Sequence, residues 1–322
     1  MELLEDPAVR RLLSRRYGLV LDCTKSGSIE MIREQMPAGI DFLWPSSQLA
    51  LEMVSRQSAA LPLKSELILF SPIVLYAWEP AARALESAGF AAEKNGIYLV
   101  TDFPGLIRSA LDGKTWSDWG LTDPATGDPI GSLVAPVSTD PARSNSGSMY
   151  TGLLANVFAG RVCTDQDVAD VLPKVKAYFD RLGYMERTTS DLFERFLVTG
   201  VGALPVIAGY ENQIIEYAKK FNLKWPEVGG RIRILYPVPT VWSAHPLIVL
   251  KPEAEILLRA LRDPDFQEIA WEKHGFQTGM MGVQNNPSDL PVRGIPETIA
   301  QVIPMPTASV MDTVIKVMAL RH

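Results

Sequence analysis

Residues 140–159 read DPARSNSGSMYTGLLANVFA, and this stretch decides how the rest of the chain is read. Ahead of it, Gly131–Val137 has the apolar content of a strand; within it, Ser144-Asn145-Ser146-Gly147 opens a helix running to about Ala159. The stretch is therefore a handover from strand to helix, crowded with small polar side chains. Four comparable clusters occur elsewhere: Thr24-Lys25-Ser26-Gly27-Ser28, Pro45-Ser46-Ser47, Ser71, and Ala208-Gly209-Tyr210-Glu211-Asn212. In an open α/β sheet, ligands bind outside the carboxyl ends of the strands. Helix starts there present unpaired N–H groups and a partial positive charge, which suit anions. Ser and Asn are also good N-caps, so each cluster taken alone reads better as a plain helix start. Five at successive strand ends point to a shared polar cleft.

Working outward, the first third alternates helical and strand patterns: a helix over Glu2–Arg16 with Pro7 as a break, a strand at Gly18–Cys23, a helix at Ser28–Gln35, a strand at Ile40–Trp44, a helix to about Arg56, and a strand at Leu67–Ala77. This repetition predicts a parallel sheet with helices on its faces. The middle contains a helix at Glu79–Ser87, an irregular Gly- and Asp-rich loop over 112–130, and helices at 165–182 and 189–198. Strand Leu204–Ala208 then leads into helix Glu211–Phe221. A strand at Arg231–Tyr236, the Pro237-Val238-Pro239 crossover, a strand at Pro246–Leu250 and three helices (252–262, 264–273, 307–320) complete the chain. No internal repeat is visible.

The chain has 322 residues, 21% of them charged and 47% apolar, which suits a globular protein of about two domains. A net charge of −6 lacks the basic footprint of a nucleic-acid binder. Two cysteines (Cys23, Cys163) and three histidines leave no thiolate cluster and little material for a metal site. The longest apolar run, Leu67–Trp78, is far short of the ~20 residues a membrane-spanning helix needs.

Catalytic signatures are mostly missing. Gly113-Lys114-Thr115 resembles the end of a P-loop, but Arg108 stands where its first glycine belongs. Gly200-Val201-Gly202 is followed by Pro205 rather than a third glycine. Asp123 and Asp128 match no calcium-loop spacing. Ser243 and His245 suggest a hydrolase pair, but no orienting carboxylate or oxyanion hole accompanies them, so His245 reads as a residue that holds the crossover.

With these residues in place, DPARSNSGSMY closely resembles the Asp-Pro-x-x-Ser-Asn-Ser-Gly segment of bacterial extracellular solute-binding proteins of the type II periplasmic fold, the group also found beside von Willebrand A domains. Further segments resemble the family in order: GSIEM (27–31), FLWPSSQ (42–48), SPIVLYAWEPAARAL (71–85), GYENQIIEY (209–217), ILYPVPTVWSAHPLIVL (234–250) and DPDFQEIAWEKHGFQTG (263–279). The resemblance implies an α/β fold of two lobes, each a mostly parallel sheet flanked by helices. Lobe I would span 1–75 plus 238–322 and lobe II 76–237, with crossovers near 71–78 and 236–245. It also implies an extracytoplasmic, non-enzymatic receptor of an ABC-type transporter, monomeric, binding a small anion or oxyanion in the cleft between lobes and delivering it to a membrane permease. No cofactor, metal, nucleic acid or membrane insertion is expected. The ligand-loop positions carried over are Ser26, Ser28, Ser46, Ser47, Ser71, Ser144, Asn145, Ser146, Tyr210 and Glu211, with Arg143 and Lys25 as sources of positive field.

Two departures stand out. Gln277 follows Gly275-Phe276 where the family commonly has arginine, and the family's first strand and Gly-Ser-Glu-Lys loop have no counterpart before Glu2–Leu13. The chain opens Met-Glu-Leu-Leu-Glu-Asp, without the basic and apolar regions of an export signal. The expectation is an N-terminally truncated version of a longer exported polypeptide. The alternative reading is a ligand-sensing or partner-binding module without a transport role; an enzyme on the same lobes, such as a transferase, comes third.

Overall fold

The apolar run at Leu67–Ala77 forms the longest strand of the protein, Lys64–Trp78, buried almost continuously from Ile68 onward. A strand covered on both faces needs such a run rather than an alternating pattern. A computed structural model of the chain describes residues 2–28, 30–33, 39–57, 62–280, 285–299 and 301–320. Among these the strands are β1 (Phe42–Leu43), β2 (Lys64–Trp78), β3 (Ala92–Lys94), β4 (Ile97–Val100), β5 (Val206–Tyr210), β6 (Ile232–Pro237), β7 (Trp242–Val249) and β8 (Gln277–Thr278). Helices cover their faces, and the class is α/β as expected.

The chain divides into two compact units. The first comprises Met1–Ser71, Asn212–Lys220 and Ser243–Pro291; the second comprises Pro72–Glu211, Phe221–Trp242 and Val292–His322. Strand β2 passes from one to the other at Ser71–Pro72. The C-terminal stretch, expected in the first lobe, belongs instead to the second unit. There Asn156 donates to the Pro304 carbonyl at 2.8 Å, Ser309 donates to Asp165 at 2.8 Å, and Val302 bridges Thr240. Residues 212–220, expected in the second lobe, belong to the first.

In the first unit β1 pairs antiparallel with β7, and β8 antiparallel with β2. Leu13, Ile68, Leu69, Leu247, Leu261 and Phe266 anchor the core. In the second unit β5 and β6 both run antiparallel to β2, β4 runs parallel to β6, and β3 closes a hairpin on β4. The expectation of a mostly parallel sheet is thus corrected. Strands β4, β5 and β6 share one direction, but the strand they are built around is reversed. Its core is aromatic: Trp78 stacks on Phe196 at 4.9 Å and Phe103 meets Tyr150 edge-on.

Two expected strands are absent. Residues Gly18–Cys23 form no strand, because Gly18 takes a left-handed conformation (φ +66°) and closes the helix Pro7–Tyr17. Leu19 and Leu21 then pack on the first core while Val20 is exposed. Gly131–Val137 is reduced to isolated bridges at Leu133 and Val137; Pro136, just ahead of Val137, offers no N–H to a ladder. The first helix breaks as expected into Glu2–Glu5 and Pro7–Tyr17, Asp6 accepting from Ala8 N–H at 2.6 Å. The helix expected over 189–198 continues to Ala203 through a kink at Gly200. Of the helix expected at Ser28–Gln35, Glu30–Arg33 is present, and residues 29, 34 and 35 lie outside the described residues.

Candidate functional site

The DPARSNSG stretch builds a defined corner in the second unit. The Asp140 carboxylate accepts from Ala142 N–H at 2.8 Å, and its carbonyl accepts from Ser144 N–H at 2.9 Å. This turn aims the chain into the helix Asn145–Ala159. Gly147 is required by close approach: a Cβ there would lie 2.5 Å from the Thr139 carbonyl oxygen. The start of the helix is thereby pressed against the Thr139–Asp140 backbone, and small polar side chains converge on it.

Ser146 is the centre of this convergence. Its buried hydroxyl lies 2.8 Å from Thr139 Oγ1, 3.0 Å from Ser144 Oγ and 2.6 Å from Thr189 Oγ1. Thr189 begins a second helix, Thr189–Ala203, so two helix starts meet at one cluster of hydroxyls. Ser144 occupies the N-cap position but makes no side-chain cap hydrogen bond, its hydroxyl facing Ser146 instead. Asn145 Nδ2 donates to the Tyr210 hydroxyl at 2.8 Å, drawing the end of β5 to the same corner. The first-turn N–H groups of Ser146 and Gly147 precede the first intrahelical bond, Ser148 N–H to the Ser144 carbonyl.

Other expected site residues in this unit have different surroundings. Arg143 is exposed, and its Nε lies 3.6 Å from Asp140, whose charge offsets its field. Glu211 is fully buried and accepts from the Tyr236 hydroxyl at 2.5 Å. Burial, and then the Glu211 charge, push the Tyr236 phenol well above its ordinary range.

A second polar cluster forms in the first unit. Ser28 Oγ lies 2.8 Å from Ser46 Oγ and accepts from Ser46 N–H at 2.9 Å. Ser47 accepts from Leu49 N–H at 3.2 Å, so it caps the helix Gln48–Gln57. Ser71, also buried, accepts from Asn212 N–H at 3.1 Å at the start of the helix Glu211–Lys220. Ser26 is exposed, and Lys25 is an exposed charge 3.2 Å from Glu5.

Ser243 and His245 sit beside this cluster without forming a catalytic pair. Ser243 Oγ donates to the Ser46 carbonyl at 2.7 Å and lies 3.4 Å from His245 Nε2. The serine proton is therefore directed at a carbonyl, away from the imidazole. His245 Nδ1 is buried with no hydrogen-bond partner among the described residues, and burial pushes the imidazole down to about 4, so it is neutral at pH 7. Thr139 and Thr189 were not recognised in the sequence as site residues, and Ser243 was weighed only as a hydrolase partner of His245. Thr139 lies one residue outside the recognised motif, and only the tertiary fold brings Thr189 to it. Among the described residues no group of three or more His, Cys, Asp or Glu side chains is placed to hold a metal ion, and no helix is long and apolar enough to cross a membrane.

No family model and no curated protein matches the chain in sequence. Solved structures do match it along its length. FutA (IdiA) from Trichodesmium, in complex with iron and citrate ligands, superposes with a TM-score of 0.62 at 12% identity, covering 99% of this chain and 96% of that one. The apo ferric ion-binding protein A of Pasteurella haemolytica gives 0.62 at 10% identity, covering 99% and 94%. Iron-bound HitA from Pseudomonas aeruginosa gives 0.60 at 11%, covering 97% and 94%. The fold is the type II periplasmic-binding-protein fold. That fold was expected from the motif order, and the hydroxyl corner of the second unit is built on it at the DPARSNSG motif.

Proposed function

We propose that the chain is an extracytoplasmic solute-binding receptor of an ABC-type transport system, taking a small anion or oxyanion and handing it to a permease. The observation that carries the anion reading is the meeting of two helix starts at Ser146. Hydroxyls rotate to donate to an arriving oxygen, and the two helix dipoles favour negative charge there. Ser144, Asn145, Ser146 and Tyr210 are the proposed ligand groups of the second unit, joined by Thr139 and Thr189. Arg143 supplies a weak field. In the first unit Ser28 and Ser46 are the proposed ligand groups, with Ser26 at their edge; Ser47, Ser71 and Glu211 hold helix starts and strand ends in place. The iron named for the similar structures is a less apt cargo for this corner, whose polar groups are hydroxyls and amides.

The test is a thermal-shift screen of phosphate, sulfate, citrate and neutral amino acids. A ligand that binds only the folded chain raises its melting temperature in step with ln(1 + [L]/Kd). At least one oxyanion should do so in the wild type. Ser146→Ala should lose about tenfold or more in affinity, since a hydrogen bond to a charged group contributes about 1.5–3 kcal/mol. If only neutral solutes shift the transition, the anion assignment is wrong. If no turnover is seen but transport fails to depend on the chain, the sensing role takes its place.

A further inference from the structure

The helix pair at the N-terminus and the segment after it enclose a groove of about 260 Å³ that no part of the function above uses. It is lined by Leu4 and Leu13, both buried, together with Leu19, Leu21, Arg10 and Arg11. The groove exists because the left-handed turn at Gly18 sends the chain back along its own helix. Leu19 N–H bonds to the Leu13 carbonyl at 3.0 Å, and the Lys25–Glu5 ion pair fixes the far end. Val20 lies on the rim and is 91% exposed.

We propose that this groove binds a medium-chain aliphatic carboxylate, its tail against the leucines and its carboxylate at Arg10 and Arg11. Charge complementarity argues for the head group. Neither guanidinium makes an ion pair with a described residue, whereas Arg16 on the same helix is held by Asp263 and Asp265 at 2.6 Å each. Glu5, whose carboxylate also feels Arg10, is paired with Lys25 at 3.2 Å. Size argues for the tail. Sites for drug-sized ligands run to roughly 300–1,000 Å³, so this one suits a single short chain better than a ring system. The site is separate from Ser146 and independent of the receptor function.

Titration of the full chain with butyrate, hexanoate and octanoate, followed by amide resonances of residues 10–21, tests the proposal. Affinity should rise about fourfold per methylene until the groove is full. Octanol should bind at least tenfold more weakly than octanoate. The exposed-site double variant Arg10→Ala/Arg11→Ala should lose about tenfold, Ser14→Trp should block the groove, and Ser146→Ala should bind octanoate as the wild type does. Affinity independent of chain length, binding indifferent to the double variant, or binding to anionic vesicles but not to free octanoate would each overturn it.

Discussion

His245 shows how far burial alone can set a side chain's chemistry. In the unfolded chain its imidazole takes a proton below about 6.5, whereas the folded chain refuses it until about 4. The folded pKa is depressed, so the unfolded state binds more protons over this window and stability falls as pH drops through it. At about 1.4 kcal/mol per unit, the loss is about 3 kcal/mol in all, reached near pH 4 and flat below. Urea unfolding of the wild type and His245→Leu at pH 7 and pH 5 measures it. The wild type should lose about 2 kcal/mol more than the variant over that interval. Equal losses would place the acid sensitivity elsewhere.

Ser146 differs in kind, because its neighbours are rotors rather than a fixed apolar wall. Removing its hydroxyl leaves Thr139 Oγ1, buried beside it, short of a partner, at a cost of about 1–3 kcal/mol. Ser144→Ala leaves a half-buried, non-capping position and should cost less than about 1 kcal/mol while still weakening anion affinity. Chemical denaturation and ligand titration on the same two variants separate the structural share from the binding share. A Ser144→Ala variant that loses stability but not affinity would make it a cap after all.

At the scale of elements, Gly147 gives a prediction whose sign is diagnostic. In an ordinary helix, Gly to Ala stabilises by about 1 kcal/mol. Here the added methyl would meet the Thr139 carbonyl at 2.5 Å, backbone that cannot move aside without shifting the turn. Gly147→Ala should therefore destabilise by about 1–3 kcal/mol, read from the denaturation midpoint. Stabilisation would mean that the helix start is not pressed against the turn. The helix Pro264–His274 offers a second case. Its N-cap Asp263 accepts from Asp265 N–H at 2.9 Å, from Arg16 at 2.6 Å and from Tyr17 at 2.5 Å. Burial works against its charged form, but these partners together hold the carboxyl below its usual range. Asp263→Ala should cost about 2–4 kcal/mol at pH 7, and the difference from wild type should shrink as pH falls below about 4. A difference that stays constant down to pH 2 would show that the carboxylate's charge is not what matters.

The elements legible in the sequence are those whose pattern has one physical solution. The run Leu67–Trp78, interrupted only by Ser71 and Pro72, fits a doubly covered strand, and Pro7 after Asp6 fits a helix restart. Gly18–Cys23 was not legible, since alternating Leu19, Val20 and Leu21 suits a strand face or a segment lying on its own helix equally well. The left-handed Gly18 decides between them. The direction of β2 was not legible either, because apolar composition carries no sign. Ser144, Asn145 and Ser146 were visible through the motif, whereas Thr189, 43 residues beyond Ser146, is brought in only by the fold. Glu211 was visible as a residue but not as a buried partner of Tyr236.

For the whole molecule, a chain of net charge −6 that binds an anion must do so through local dipoles and hydroxyls rather than overall attraction. The second unit has those groups at one corner, at the start of the helix Asn145–Ala159. Tracking backbone amide resonances of the full chain during titration with an oxyanion found in the thermal screen tests this most directly. The amides of Ser146 and Gly147, at the start of the helix Asn145–Ala159, and of Ser190, at the start of Thr189–Ala203, should move together, with one dissociation constant matching the thermal shift. Binding that stabilises the chain while those three amides stay in place would contradict the account.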